Sequence, residues 1–445
     1  MDNTIAAIAT ATGGAIGIIR VSGSDAVSIV NKVFSKDLTA FRANSVVFGE
    51  IIDDSGEPID EVLVSIFRAP HSYTGEDSVE ISCHGSRYIL NQVLSLLIEH
   101  GASQAGPGEF TQRAFMNGKM DLSRAEAVAD VIAAESRAAH RVAINQLRGG
   151  FSSKLSVLRD KLLKMTSLLE LELDFSDHEE LEFADRTELR SLAEEINSHI
   201  SQLILSYKAG QVIKSGIPVA IVGKTNVGKS TLLNLLLGDD RAIVSDIHGT
   251  TRDVIEDTVQ IGGILFRFID TAGLRHTDDA IERIGIERTY QKLAQARIVI
   301  WLIDCEPTTE ELDEMQEKCI DKHLIIVANK CDLSPTPSAS AHLSISAKQT
   351  LGINLLQDRL ISAADIPEIS TQEVIVTNAR HYDALLNAHK SIQRVIDAFA
   401  MNLSGDLIAE DLRDCIHHLG SIVANGEITT QETLNSIFSH FCVGK

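Results

Sequence analysis

The 445-residue chain has only six cysteines, Cys83, Cys305, Cys319, Cys331, Cys415 and Cys442. None has the spacing of a zinc site or a disulfide framework, so the sequence reads as reduced and metal-free at sulfur. No apolar run reaches the length of about 18 residues that a membrane-spanning helix needs. The opening stretch "MDNTIAAIATATGGAIG" has no basic flank, which argues against a secretory signal. Repeats and low-complexity tracts are missing as well. Positive charge is in deficit: 40 Lys and Arg face 62 Asp and Glu, for a net charge of −22. A protein that binds nucleic acid unaided shows a basic patch or stripe, and none is visible here. Any nucleic-acid substrate is therefore expected to lean on a basic partner. These absences point to a cytoplasmic protein outside the membrane.

What is present is an ordinary globular composition, 44% apolar and 23% charged, in a chain long enough for two or three domains. Residues 1–118 alternate short β-like runs ("AIGIIRVSG", "VLVSIF", "DSVEIS") with one helix, "YILNQVLSLLIEHG". This is an α+β pattern. Residues 119–212 read as helical. Ser123 and Glu126 have the spacing of a capping box. Leu155, Leu158, Leu162, Met165, Leu169 and Leu173 form one stripe, and Leu189, Leu192, Ile196, Ile200 and Leu203 another. The acidic stretch "SDHEELEFAD" between them predicts a solvated loop. Residues 213–371 alternate strands ("IPVAIVG", "ILFRFID", "IVIWLID", "LIIVANK") with helices, as in a mostly parallel sheet covered on both faces. Residues 372–445 turn helical again. The expected fold is multidomain α/β, in which a discontinuous all-α domain, 119–212 with 372–445, receives an inserted Ras-like P-loop domain.

"GKTNVGKS", Gly223 to Ser230, carries the spacing G-x-x-x-x-G-K-S between an apolar strand and a helix. Backbone N–H groups of Asn226, Val227, Gly228 and the residues through Thr231 are then expected to cradle phosphates at a helix N-terminus. Lys229 would reach the β- and γ-phosphates, and Ser230 would ligate Mg²⁺. "GTTRD" follows, offering Thr251 as a second Mg²⁺ ligand. In "DTAG", Asp270 suits the metal's outer sphere and Gly273 the γ-phosphate, with Thr271 and Ala272 between them. "NKCD" supplies Asn329, Lys330 and Asp332, and "SAK" supplies Ser346, Ala347 and Lys348. An aspartate at 332 can accept from guanine N1–H and N2–H₂. Adenine offers neither donor, so ATP is rejected. Five elements in this order predict GTP as the bound nucleotide.

Ras-like enzymes carry a water-orienting glutamine after the DTAG segment; here the residue is Leu274. Hydrolysis still needs a placed water and positive charge on the phosphoryl group. Asp278, Asp279, Glu282 and Glu287 are candidates for the first task, Arg252 and Arg275 for the second. The residues alone do not choose among them. Cys83 with His84 resembles a thiol–base pair, but core packing is the better reading, and Trp301 also reads as core.

"GKTNVGKSTLLN", "GTTRD", "DTAGLR" with "IERIGIER", "YTGEDSVEISCHG", "PGEFTQRAFMNGKMDLSRAEA" and the closing "FCVGK" together resemble the MnmE (TrmE) family of tRNA-modification GTPases. The resemblance spans nearly the whole chain. It implies a potassium ion beside the phosphates, with Asn226 as side-chain ligand and Ser245, Ile247 and Thr250 at the remaining positions. That loop runs Ser245, Asp246, Ile247, His248, Gly249, Thr250, Thr251. The resemblance selects Glu282 as the water-orienting carboxylate and makes ordering of the switch loops depend on pairing of two G domains. It implies that residues 1–118 form a folate-binding domain that also mediates a homodimer. Arg20, Glu80, Lys119 and Lys445 would contact 5-formyl- or 5,10-methylene-tetrahydrofolate, with Cys442 as a thiol near the reacting carbon. A flavoprotein partner, MnmG (GidA), would carry FAD in a heterotetramer or larger complex. The implied reaction places an aminomethyl-type group at C5 of the wobble uridine of tRNA. Two features depart from the family: "ATATGGAIG" stands where prolines are common, and Gly106 where arginine is usual. Two other readings stay open: a GTPase switch in ribosome assembly without folate chemistry, and a folate-dependent aminomethyltransferase gated by GTP.

Overall fold

A computed structural model describes residues 3–174, 185–238, 257–269, 293–333, 338–365 and 374–423, with residues 434, 437–439, 441, 443 and 444 beyond these. The chain is multidomain α/β and divides into two compact units. One comprises Met1–Ala133, Ala143–Ser201 and Asp383–Lys445; the other comprises Ala134–Val142 and Gln202–Tyr382.

The chain begins with β1 (Ile5–Ile8), β2 (Ile16–Ser22), α1 (Ala26–Val33), β3 (Ser45–Ile52), β4 (Pro58–Phe67), β5 (Ser78–His84), α2 (Arg87–Glu99) and β6 (Ser103–Gln104). The sheet order is β3-β4-β5-β2-β1-β6. Pairing is antiparallel except between β1 and β6. Strand residues alternate between faces. Ile19, Val21, Val64 and Ile81 thus meet Leu90, Val93 and Leu97 of α2 in one buried cluster. Gly17 is what lets α2 approach, because a Cβ there would lie 2.5 Å from Leu90 Cδ1. Cys83 belongs to this core, and burial pushes its thiol up to about 12. His84 points to the other face, exposed beside Asp60, so the two side chains cannot act as a thiol–base pair.

Helices α3 (Glu109–Met116), α4 (Leu122–Ile132), α5 (Arg137–Leu147), α6 (Gly150–Asp174) and α7 (Arg186–Ser215) follow. The expected capping box is not the start of α4. Asp121 caps it instead, accepting from Arg124 N at 2.9 Å. Ser123 and Glu126 are buried inside the helix, the Ser123 hydroxyl donating to Asp121 at 2.8 Å. The aspartate wins because its carboxylate satisfies a free N–H from a position already outside the helix. On α6, Leu155, Leu158, Leu162, Met165 and Leu169 are buried as the stripe predicts. On α7, Leu189, Ile196, Ile200 and Leu203 are buried, but Ala193 takes the buried position expected for Leu192. Each fully buried leucine contributes about 1.5–3 kcal/mol. The acidic stretch between the helices lies outside the described residues, except Asp185.

The second unit contains β7 (Ile217–Val222), α8 (Lys229–Leu237), β8 (Asp257–Ile261), β9 (Ile264–Phe268), β10 (Ile298–Ile303), α9 (Thr309–Lys318), β11 (His323–Ala328), β12 (Leu343–Ser344) and α10 (Ile353–Ala364). The sheet order is β12-β11-β10-β7-β9-β8. Neighbours run parallel except β8 and β9, a hairpin turned by Gly262 and Gly263 at φ 61° and 84°. Positive φ at both turn residues matches the twist of the strands. Trp301 is core, buried with Val222, Val299 and Ile326. Finally α11 (Ala379–Ala400) and α12 (Gly405–Val423) close the described helices. The buried stripe of α12, Ile408, Leu412, Cys415, Leu419 and Ile422, has helical spacing.

Candidate functional site

Strand β7 ends at Val222, and the loop to α8 turns through three residues of positive φ: Gly223 at 151°, Asn226 at 63° and Gly228 at 98°. Gly223 and Gly228 are also sterically required. A Cβ on Gly223 would sit 2.3 Å from Leu302 O, and one on Gly228 would sit 2.4 Å from Asn329 Nδ2. The N-terminus of α8, capped by Gly228, opens directly from this loop. Its N–H groups and dipole favour an anion there. Lys229 Nζ folds over the same loop, donating to Gly223 O at 2.8 Å and Lys224 O at 2.7 Å. A bound phosphate would replace those carbonyls as acceptors. Val227 is buried beneath the loop, while Asn226 is exposed at its tip and Ser230 and Thr231 lie in the first turn of α8.

One buried side chain joins this loop to the base-recognition segments. Asn329 follows β11, donates through Nδ2 to Val227 O at 2.7 Å and accepts through Oδ1 from Ala347 N at 3.0 Å. Its own N–H bonds Ile303 O at 2.7 Å. Three segments far apart in sequence are thus held by one amide. Lys330, at φ 64°, sends Nζ to Asp304 Oδ2 at 2.9 Å. Asp332 is exposed, its carboxylate touched by Gln349 Nε2 at 3.4 Å. Ser346 is buried and accepts from Gln349 N at 3.3 Å, and Lys348 is exposed. The sequence reading did not include Lys224, which pairs with Glu311 at 2.7 Å. Glu311 also completes the capping box of α9 with Thr308. The T-x-x-E spacing signals that box but not the lysine it engages.

A second constellation lies in the N-terminal sheet. Arg20 and Glu80 are register partners on β2 and β5. They meet through Nε at 2.9 Å and Nη2 at 2.8 Å, both half-buried. The Arg20 guanidinium lies 5.3 Å from the centroid of the Tyr73 ring and 5.6 Å from that of Phe110. Its Nη1 donates to Gly444 O at 3.4 Å, and Val443 bridges Pro107, so the C-terminal segment reaches this face. Lys119 is exposed and donates to Pro70 O at 2.8 Å, on the loop that also carries Tyr73. Beneath them Arg113, 1% exposed, binds Asn3 O at 2.8 Å, Glu109 at 2.9 Å and both oxygens of Glu76 at 3.3 Å. Burial raises the Tyr73 phenol, which hydrogen-bonds Thr111 at 2.9 Å. The sequence reading did not assign Tyr73, Phe110 or Arg113 to the site, although all three sit inside the quoted family motifs. Gly106 donates to Glu109 Oε2 at 2.8 Å, and a Cβ there would find its nearest neighbour only at 3.7 Å. The loop therefore has room for a side chain at this position.

Ser245, Asp246, Ile247, His248, Gly249, Thr250, Thr251, Arg252, Asp270, Thr271, Ala272, Gly273, Arg275, Glu282, Cys442 and Lys445 lie outside the described residues. Among the described residues no helix is long and apolar enough to cross a membrane.

Two family profiles match the sequence. The GTP-binding protein TrmE N-terminus covers residues 4–119 and the MnmE helical domain covers residues 122–442. Curated relatives align over their full length. The tRNA modification GTPase MnmE of Bacteroides fragilis is 55% identical, covering 100% of both chains. That of Bacteroides thetaiotaomicron is 54% identical over 100% of both. That of Flavobacterium johnsoniae is 48% identical over 100% of this chain and 99% of its own. With a phosphate loop, a guanine-type NKCD segment and an identity of this level from end to end, the chain belongs to the MnmE family of tRNA modification GTPases.

Proposed function

We propose that this chain hydrolyses GTP and uses the resulting conformational cycle to modify the wobble uridine of tRNA. The observation that carries the reading is the Asn329 amide, which ties the phosphate loop at Val227 to the SAK segment at Ala347. A clamp built this way aligns the phosphate-facing N–H groups with the base-facing Asp332. Guanine is then selected because only guanine satisfies that carboxylate.

The donor set fits the ions the family implies. Ser230 opens α8 next to Lys229, and its hydroxyl, with Thr251, would hold Mg²⁺, a cation that takes oxygen ligands. Asn226 presents an amide oxygen at the exposed tip of the loop, suited to potassium, with Ser245, Ile247 and Thr250 as further ligands. Potassium, when bound, would supply the positive charge that an arginine supplies elsewhere. Glu282 would orient the water in place of the absent glutamine, and Arg252 and Arg275 would add positive charge. Pairing of two G domains would order these segments.

The N-terminal constellation fits a folate. Arg20 and Lys119 can meet its carboxylates, Glu80 can accept from its pterin, and the Tyr73 and Phe110 rings offer flat apolar walls. The folate would donate one carbon, and MnmG (GidA) would contribute FAD. Cys442 and Lys445 would complete the site. The domain scheme follows: folate binding and homodimerisation in 1–118, a helical domain of 119–212 and 372–445, and a G domain of 213–371, all in the cytoplasm.

The test is nucleoside analysis of tRNA from a deletion strain. The C5 group of the wobble uridine should disappear and return with the wild-type gene. Normal tRNA alongside unjoined ribosomal subunits would instead support the assembly-switch reading. Turnover should rise sharply in K⁺ over Na⁺ at equal ionic strength, and equal rates would remove potassium. Glu282→Ala should lose hydrolysis while retaining GTP; normal turnover would remove Glu282 from the mechanism.

A further inference from the structure

A cavity of about 240 Å³ opens in the first unit where α4, α6 and α12 meet. Its polar lining is Asp121, Arg124, Ser152, Ser153, Ser156 and Arg159, over an apolar floor that includes Leu155 and Leu419. Two of these groups are already engaged. Asp121 caps α4 and pairs with Arg124 at 3.2 Å, and the Ser152 hydroxyl lies 2.8 Å from that of Ser123. What remains is rich in donors: the Arg159 guanidinium, the terminal nitrogens of Arg124, whose pair with Asp121 runs through Nε, and the exposed hydroxyls of Ser153 and Ser156.

Arg124 is packed tightly at the wall of this cavity. It beds against Gly149, at φ 84°, where a Cβ would lie 2.0 Å from Nη2. Gly149 immediately precedes the N-terminus of the 25-residue α6, which is itself a positive pole. Arg124 Nε is shut off from solvent without a hydrogen-bond acceptor, its contact with Asp121 lacking the geometry of one. Asp121 balances Arg124, so the net positive charge of the cavity comes from Arg159 and the N-terminal end of α6, which together favour an anion there. Guanidinium forks match phosphate oxygens. The volume exceeds a lone phosphate, and the leucine floor suits an attached sugar.

We propose that this cavity binds a phosphodiester of the tRNA backbone, giving a chain of net charge −22 a local cationic anchor for its substrate. The inference rests on the tRNA reading above. The test measures tRNA affinity against KCl concentration for the full chain. It compares wild type with Arg124→Gln/Arg159→Gln and with Arg190→Gln/Arg413→Gln, which removes equal charge from ion pairs elsewhere on α7 and α12. The cavity variant should bind about tenfold more weakly, with a slope of log K against log salt flattened by about one to two. The control should shift neither. Arg124→Lys/Arg159→Lys keeps the charge and should restore the slope, which separates lost anchoring from lost folding. An unchanged slope in the glutamine variant overturns the proposal. So does inorganic phosphate raising the melting temperature of wild type alone while tRNA affinity stays equal, because the site would then serve a small phosphate ester. If tRNA from the deletion strain keeps the C5 group of its wobble uridine, the functional reading itself fails and this inference falls with it.

Discussion

The two candidate sites are built by opposite strategies. The nucleotide clamp uses backbone: positive-φ turns at Gly223, Asn226 and Gly228, a helix end, and one buried amide. The N-terminal site uses side chains drawn from distant segments: Arg20, Tyr73, Glu80, Phe110 and the carbonyl of Gly444. The loop of the clamp depends on local sequence, with Asn329 as its long-range tie. A side-chain site depends on a scaffold that brings the parts together. Here part of that scaffold is the buried Arg113 network, which joins Asn3, Glu76 and Glu109. The two sites should therefore fail separately.

The strongest way to break the clamp is Asn329→Ala. It strands Val227 O and Ala347 N, each buried group costing about 1–3 kcal/mol when unpaired. GTP affinity should fall roughly 100-fold, while folate affinity stays within twofold; fluorescent-nucleotide titration and calorimetry read the two. Retained GTP affinity would show that the amide is not what holds the clamp.

Arg20→Met reverses the comparison. It removes the partner of Glu80 and the cation over Tyr73 and Phe110. Folate should bind roughly tenfold more weakly, as expected for loss of a charge-assisted contact, with GTP affinity unchanged. A joint loss of both ligands would mean that the sites are coupled.

The smallest effect sharpens the picture of the N-terminal sheet. The hydrogen bond from His84 to Asp60, then the carboxylate charge, raises the imidazole above its usual range. A raised value means the folded state favours the proton. The stabilisation is present below about pH 6.5 and fades as pH climbs through the raised value. The melting-temperature gap between wild type and His84→Gln should thus be positive near pH 6 and shrink as pH rises through the raised value. A constant gap would assign the effect to packing.

Legibility followed the same divide. Strong signals, such as the continuous apolar run "IVIWLID" and the helical stripe from Leu155 to Leu169, emerged as β10 and α6. "ILFRFID" emerged as β9, but β8 and the hairpin escaped, although "QIGGIL" carries the two-glycine turn, because "DTVQI" is short and only partly apolar. The start of α4 was placed at Ser123 because serine and glutamate fit a spacing, whereas Asp121 held the better-placed acceptor. Asn329 was visible as part of NKCD, but its role as a staple was not, since its partners lie 102 and 18 residues away.

By itself, the sequence determined the phosphate loop, the guanine-type segment and the family, because each depends on residue identity at fixed short spacing. Only the tertiary structure decided that Arg20 meets Glu80 across two strands, that Gly444 returns to them from 424 residues away, and that Arg124 lines a cavity against Gly149. The physical reason is range. Backbone conformation is set by near neighbours, whereas the burial and pairing of a charge depend on whichever distant segments the hydrophobic core draws beside it.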